Sequence, residues 1–293
     1  MTIAEQTGQA AADAAVLAEF AREERARLAL ANVLPRLVDD DPAAISEDLV
    51  IRTRAMIAAL AADLLRDDPE TARVVALERS LISRPGLLAH CHCLVLEAGS
   101  AERLSASGFD PVLSPVFEAL LAADAETAHL AMSALAAQSR FVTRHRRLET
   151  TAAELPAELM HEALVALADL AGDDYAVRWR AGFDEGRSRL SLLARLALAA
   201  GEQEQRLLDP AAAGLALFAT ALAQRAGVAR DEAILAGAPG QQLRLALLLR
   251  AAGVAPDAAR AAVGLIHGDA RLPDNWDELT GARAAALLAG ADA

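Results

Sequence analysis

The sequence predicts an all-α protein, and three observations carry the prediction. Hydrophobic residues make up 54% of the chain but aromatics only 3%, so the core must be built from Leu, Ala and Val. Ala and Leu head the helix-propensity scale, because Ala loses no side-chain entropy on helix formation and Leu loses little. Apolar residues recur every three to four positions, and no segment reads as a strand rich in β-branched or aromatic residues. A chain of 293 residues suffices for two ordinary domains or one extended helical array.

Helix starts are marked by aspartate before proline. Asp41-Pro42, Asp68-Pro69, Asp110-Pro111 and Asp209-Pro210 each place an acceptor ahead of a first-turn proline. The carboxylate takes an orphan N–H, and the proline forfeits no hydrogen bond there. Leu155-Pro156 begins another helix, with Glu158 near the positive end of its dipole. Gly227 after Arg225 and Gly253 after Arg250 read as helix stops. Helices are therefore expected near 10–34, 46–66, 69–82, 87–106, 111–122, 124–149, 156–171, 174–200, 210–226, 230–236, 240–252, 256–267 and 277–290. In the second, Leu49, Thr53, Met56, Ile57, Leu60 and Leu64 share one face. In the eighth, Tyr175, Trp179, Phe183, Leu190, Leu193 and Ala197 trace a similar stripe, which places Trp179 in the core. Trp276, in a loop, covers either a core edge or a partner.

The connections are short, so consecutive helices should pair as antiparallel hairpins. The Asp-Pro starts are unevenly spaced, so no strict repeat follows. The expected architecture is a degenerate HEAT-like array or two stacked helical bundles. Residues 150–154 form the best internal boundary, separating an N-terminal helical region 1–149 from a C-terminal region 150–293.

The net charge of −13 disfavours nucleic acid as a general partner. All 28 basic residues are Arg. Without lysine the chain forms no Schiff base and supplies no phosphate-loop lysine. No phosphate loop, nucleophile elbow, His-Glu-x-x-His or calcium loop is present. No cofactor and no catalytic activity are expected. The two cysteines, Cys91 and Cys93, would point roughly 200° apart on a helix and do not bridge easily. The start of the chain lacks a basic segment and a signal-like apolar run. The longest apolar stretch, Ala211 to Ala223, is too short for a bilayer. A cytoplasmic location is the expectation.

Three runs merit attention as sites. In His90-Cys91-His92-Cys93 only His90 and Cys93 could share a metal, and the flanking leucines favour buried packing. On helix 124–149, Leu130, Ala134, Leu135, Phe141, Val142 and Leu148 form the apolar face. Arg140, Arg144 and Arg147 make a stripe opposite it, flanked by His145 and Arg146. Cations there complement the negative end of the helix dipole, and Arg forks also match carboxylates and phosphates. The third run is Gly182 to Arg189, where Glu185 and Arg189 are placed to pair at i, i+4. Gly182 and Gly186 mark a kink or a close helix approach. Asp184, Arg187 and Arg189 are candidates for an interaction surface.

The second half, about residues 110–270, resembles a family of bacterial helical proteins catalogued as a domain of unknown function (number 2336). The residues that carry the resemblance are Ala137 to Val142 with Arg146-Arg147-Leu148-Glu149, then Glu154-Leu155-Pro156 and Asp184 to Leu190. The resemblance implies a helical-repeat-like protein with no assigned activity.

The sequence thus leads to a helical scaffold or adaptor, with bacterial signalling as the expected setting. Its partners would be other proteins with acidic or phosphorylated surfaces, met through Arg140, Arg144, Arg146 and Arg147, with Asp184, Arg187 and Arg189 as a second patch. A homodimer is compatible with the narrow polar faces. The alternatives are a histidine phosphotransfer module, using an outward His92, His129 or His145, and a helical protein with a small apolar ligand pocket.

Overall fold

Capping side chains set several of the helix starts in the computed structural model, which describes residues 14, 16–25, 27, 48–273 and 276–291. Its helices are α1 (residues 16–25), α2 (Asp48–Leu64), α3 (Thr71–Ile82), α4 (Pro85–Ala106), α5 (Pro115–Leu121), α6 (Ala125–His145) and α7 (Ala157–Ala171). These are followed by α8 (Asp173–Gly182), α9 (Arg189–Leu198), α10 (Pro210–Ala226), α11 (Arg230–Leu235), α12 (Gln242–Ala251), α13 (Pro256–His267) and α14 (Gly281–Ala291). Short 3-10 segments lie between several of them. The protein is all-α, with no strand among the described residues. The Asp41-Pro42 start lies outside the described residues.

Asp209 caps α10 by accepting the N–H of Ala211, with Pro210 in the first turn, as anticipated. Gly227 ends α10 in the left-handed region, and Gly253 follows α12 in the same conformation. Two starts are corrected. Asp68 does not cap a helix at Pro69: α3 begins at Thr71 after an uncapped Glu70, and the Asp68 carboxylate takes the Tyr175 hydroxyl and Arg73 instead. Asp110 accepts the N–H groups of Val112 and Leu113, but that turn does not propagate. Pro115 holds the preceding residue in extended backbone, and Ser114 becomes the true cap of α5.

The expected helix 174–200 is interrupted. Helix α8 stops at Gly182, Phe183 is extended, and Asp184 bends the chain by accepting the N–H of Gly186. Ser188 then starts α9, its hydroxyl accepting the N–H of Ser191. The stripe from Tyr175 to Ala197 therefore belongs to two helices. No neighbour lies within 4 Å of a Cβ at Gly182, so this glycine ends a helix and does not admit one.

The chain divides into two compact units. One comprises 1–30, 99–123 and 197–293, and the other 31–98 and 124–196. The expected boundary at 150 falls inside the second. In that unit α2 packs on α3, α7 on α8 and α3 on α7. Ile57, Leu60, Leu77, Leu87, Leu164 and Leu167 are essentially dry at its centre. Trp179 is half-buried against this core and donates Nε1–H to the Leu64 carbonyl at 3.0 Å. In the other unit α12 packs on α14, α13 and α10, around Leu217, Leu222, Leu247, Leu248 and Val263. Trp276 is fully buried there, which assigns it to the core. No single helix among the described residues is long and apolar enough to cross a membrane.

Candidate functional site

The arginine cluster sits where α6 ends. Asp124 fixes the start of this helix by accepting the N–H groups of Glu126 and Thr127. Regular helix stops at His145, two residues before Arg147. The N–H groups of Arg147 and Glu149 both return to the Arg144 carbonyl, at 2.8 and 3.0 Å. Leu148 takes φ +56°, the one non-glycine residue with positive φ among those described. This corrects two expectations: Arg147 leaves the Arg140–Arg144 stripe, and Leu148 leaves the apolar face. Arg140, Arg146 and Arg147 are exposed and Arg144 is half-buried. None of the four forms an ion pair with a described residue.

Arg189 stands in the opposite state. Expected on a docking surface, it is 3% exposed. Its two terminal nitrogens grip both oxygens of Glu97, which is 2% exposed, at 2.7 and 2.8 Å. Gln138 Oε1 takes a further bond from Nη1 at 3.1 Å, and the guanidinium lies 3.7 Å from the centre of the Phe141 ring. The expected Glu185–Arg189 pair is absent: Glu185 accepts the N–H of Ala157 at the head of α7. The backbone N–H of Arg189 goes to Glu154, whose carboxylate thus lies at the positive end of α9. Arg189 is therefore a structural anchor, with its terminal nitrogens engaged inside the fold.

Between these two features lies a narrow cleft of about 30 Å³. Met56, Leu94, Phe141 and Leu190 give it an apolar lining. Its polar lining comes from Arg144, Arg189, Thr150, Thr151, Glu149 and Glu154. Thr151 is held by Asp63, which accepts both its hydroxyl and the N–H of Ala152, at 2.7 and 2.9 Å. The other predicted residues do not line it. Asp184 and Arg187 are exposed on the turn before α9, where Asp184 is occupied with the Gly186 N–H.

The His-Cys run is packed inside the protein: His90, Cys91, His92 and Cys93 are all buried. Neither ring nitrogen of His92 has a hydrogen-bond partner among the described residues, and burial pushes its pKa down to about 4. His145 is 2% exposed. Both corrections remove an outward histidine from the phosphotransfer alternative, leaving His129 exposed on α6. No group of three or more His, Cys, Asp or Glu among the described residues is placed to hold a metal ion.

A second buried polar cluster lies outside the sites expected from the sequence. Arg244 on α12 binds Glu24 on α1 and Glu232 on α11, and Arg27 reaches the same two carboxylates. Glu23 caps α12 through the N–H groups of Leu243 and Arg244, both at 2.8 Å. Burial raises the Glu23 pKa above the ordinary carboxylate value. Burial acts on Glu24 in the same direction, but hydrogen bonds from Arg27 and Arg244 outweigh it and hold that carboxyl below its usual value.

No protein-family model, no curated protein and no solved structure matches the chain.

Proposed function

We propose that this protein is a non-catalytic helical scaffold or adaptor that docks acidic segments of other proteins on the end of α6. The carrying observation is four arginines within eight residues, 140 to 147, none ion-paired to a described residue, in a chain of net charge −13. Elsewhere Arg54, Arg225 and Arg260 are each paired to a carboxylate. Guanidinium forks left open to solvent match carboxylates in a bidentate way. A hairpin-built architecture suits such a role, since helical arrays present extended surfaces. The chain-neighbour pairs α2–α3, α7–α8, α10–α11 and α12–α13 support that finer reading. The resemblance to the helical domain family noted above is consistent with it.

The test is binding of Glu-rich peptides by fluorescence anisotropy across a salt series. Binding should weaken as salt rises. The double variant Arg140→Glu, Arg144→Glu should lose affinity by about tenfold or more, since it replaces attraction with repulsion. Its helicity and melting temperature should stay nearly those of the parent, because neither side chain is ion-paired to a described residue. Equal binding by the folded double variant would overturn the reading.

A further inference from the structure

Accepting that α6 docks acidic segments, we infer that the docked segment carries a small aliphatic side chain, of alanine or valine size, which seats in the cleft beside Arg144. The cleft and the open arginines meet at Arg144, which belongs to both. A carboxylate is the wrong occupant for the cleft itself. The Arg189 guanidinium beneath is already taken by Glu97, Gln138 and the Phe141 ring. A second carboxylate there would face Glu149 and Glu154 across low-dielectric walls, at a cost in repulsion.

An apolar group avoids both penalties. It meets Met56, Leu94, Phe141 and Leu190, of which Phe141 and Leu190 keep part of their surface in water. Covering that surface releases the water from it. Size then selects the occupant. The cleft is only about 30 Å³, which suits a side chain of a few carbons and excludes an aromatic ring. Carboxylates on either side of the anchor are then free to reach Arg140, Arg144, Arg146 and Arg147. The motif recognised is an aliphatic residue within a run of acids.

The experiment compares Glu-rich peptides that differ only at a central residue: valine, glycine or tryptophan. On the parent protein the valine peptide should bind about tenfold more tightly than the glycine peptide, the effect of burying one small side chain. The tryptophan peptide should gain nothing over glycine. In Thr150→Phe, which plugs the mouth, the valine-to-glycine ratio should collapse to about one. Thr150→Leu is the smaller plug to use if the phenylalanine variant fails to fold. Equal binding of valine and glycine peptides to the parent protein, or a ratio that survives the plug, overturns the anchor while leaving the docking face intact. Failure of all three peptides to bind overturns the docking face and the anchor with it.

Discussion

Each of the two units buries an arginine, and the two are neutralised differently. In the unit of residues 31–98 and 124–196, Arg189 depends on one carboxylate, Glu97, held by both terminal nitrogens, with Gln138 and Phe141 completing the shell. In the other unit, Arg244 shares Glu24 and Glu232 with Arg27, so two cations and two anions form a square. The first arrangement concentrates the electrostatic balance in one pair. The second spreads it, and Glu232 keeps over a quarter of its side chain in water. A desolvated pair fails when either member is lost, because the survivor is an uncompensated charge. A square that touches solvent retains a partner for every survivor.

Breaking each arrangement at one acid should expose the difference. Glu97→Ala leaves Arg189 charged and buried, and should cost about 3–5 kcal/mol in urea unfolding. Glu232→Gln leaves Arg244 with Glu24 and should cost about 1 kcal/mol. Comparable losses at the two positions would show that the pair and the square are energetically alike. Replacing Glu97 and Arg189 together by Met should recover most of the first loss, since an apolar pair of similar volume needs no neutralisation.

Two buried groups, one in each unit, respond to pH with opposite sign. His92, in the unit with Arg189, is neutral when folded, its pKa lowered from 6.5 to about 4. The unfolded chain therefore binds a proton that the folded chain refuses. This contribution to stability is full above pH 6.5 and is lost progressively as pH falls towards 4. Between pH 7 and pH 5 the loss should be about 2 kcal/mol. In His92→Leu that acid limb should flatten, and an unchanged limb would place the buried proton acceptor elsewhere. Glu23, in the other unit, has the opposite sign. Its pKa is raised, so its contribution is full below the unfolded carboxylate value and is lost as pH rises through the folded one.

Much of the fold was legible because its signals are local. The start at Asp209-Pro210, the stops at Gly227 and Gly253, and α13 between Pro256 and His267 follow from propensity and capping chemistry within a few residues. Errors arose where two local signals competed. Apolar spacing carried the helix prediction through residues 182–188, while Gly182, the Asp184 turn and the Ser188 cap each act against it. At the site, the exposed arginines of α6 were legible as a charge cluster, since exposure needs no partner. The Glu97–Arg189 pair was not, because it joins residues 92 apart in sequence. One signal was available: Glu97 and Gln138 each fall among apolar neighbours, where a buried polar group requires a partner. The sequence does not say which residue answers that requirement.

The smallest expected effect concerns how helices end. In the unit containing α10, α12 and α13, Gly227, Gly253 and Gly268 adopt positive φ at helix ends, where glycine has no Cβ to clash. After α6 the same left-handed turn is made by Leu148, at a cost of about 1 kcal/mol relative to glycine. That turn leads directly into Glu149 and Thr150, which line the cleft. Strain kept at a turn that leads into the proposed docking cleft has a use when it fixes the chain that follows. Leu148→Gly should therefore stabilise the fold by no more than about 0.5 kcal/mol in urea unfolding, the relief of strain less the added entropy of the unfolded glycine. It should at the same time weaken peptide binding, because residues 149–151 would sample more conformations. Lower stability in the variant would mean that packing of the half-buried leucine side chain outweighs its backbone strain. Higher stability with undiminished binding would detach the strain from the docking site.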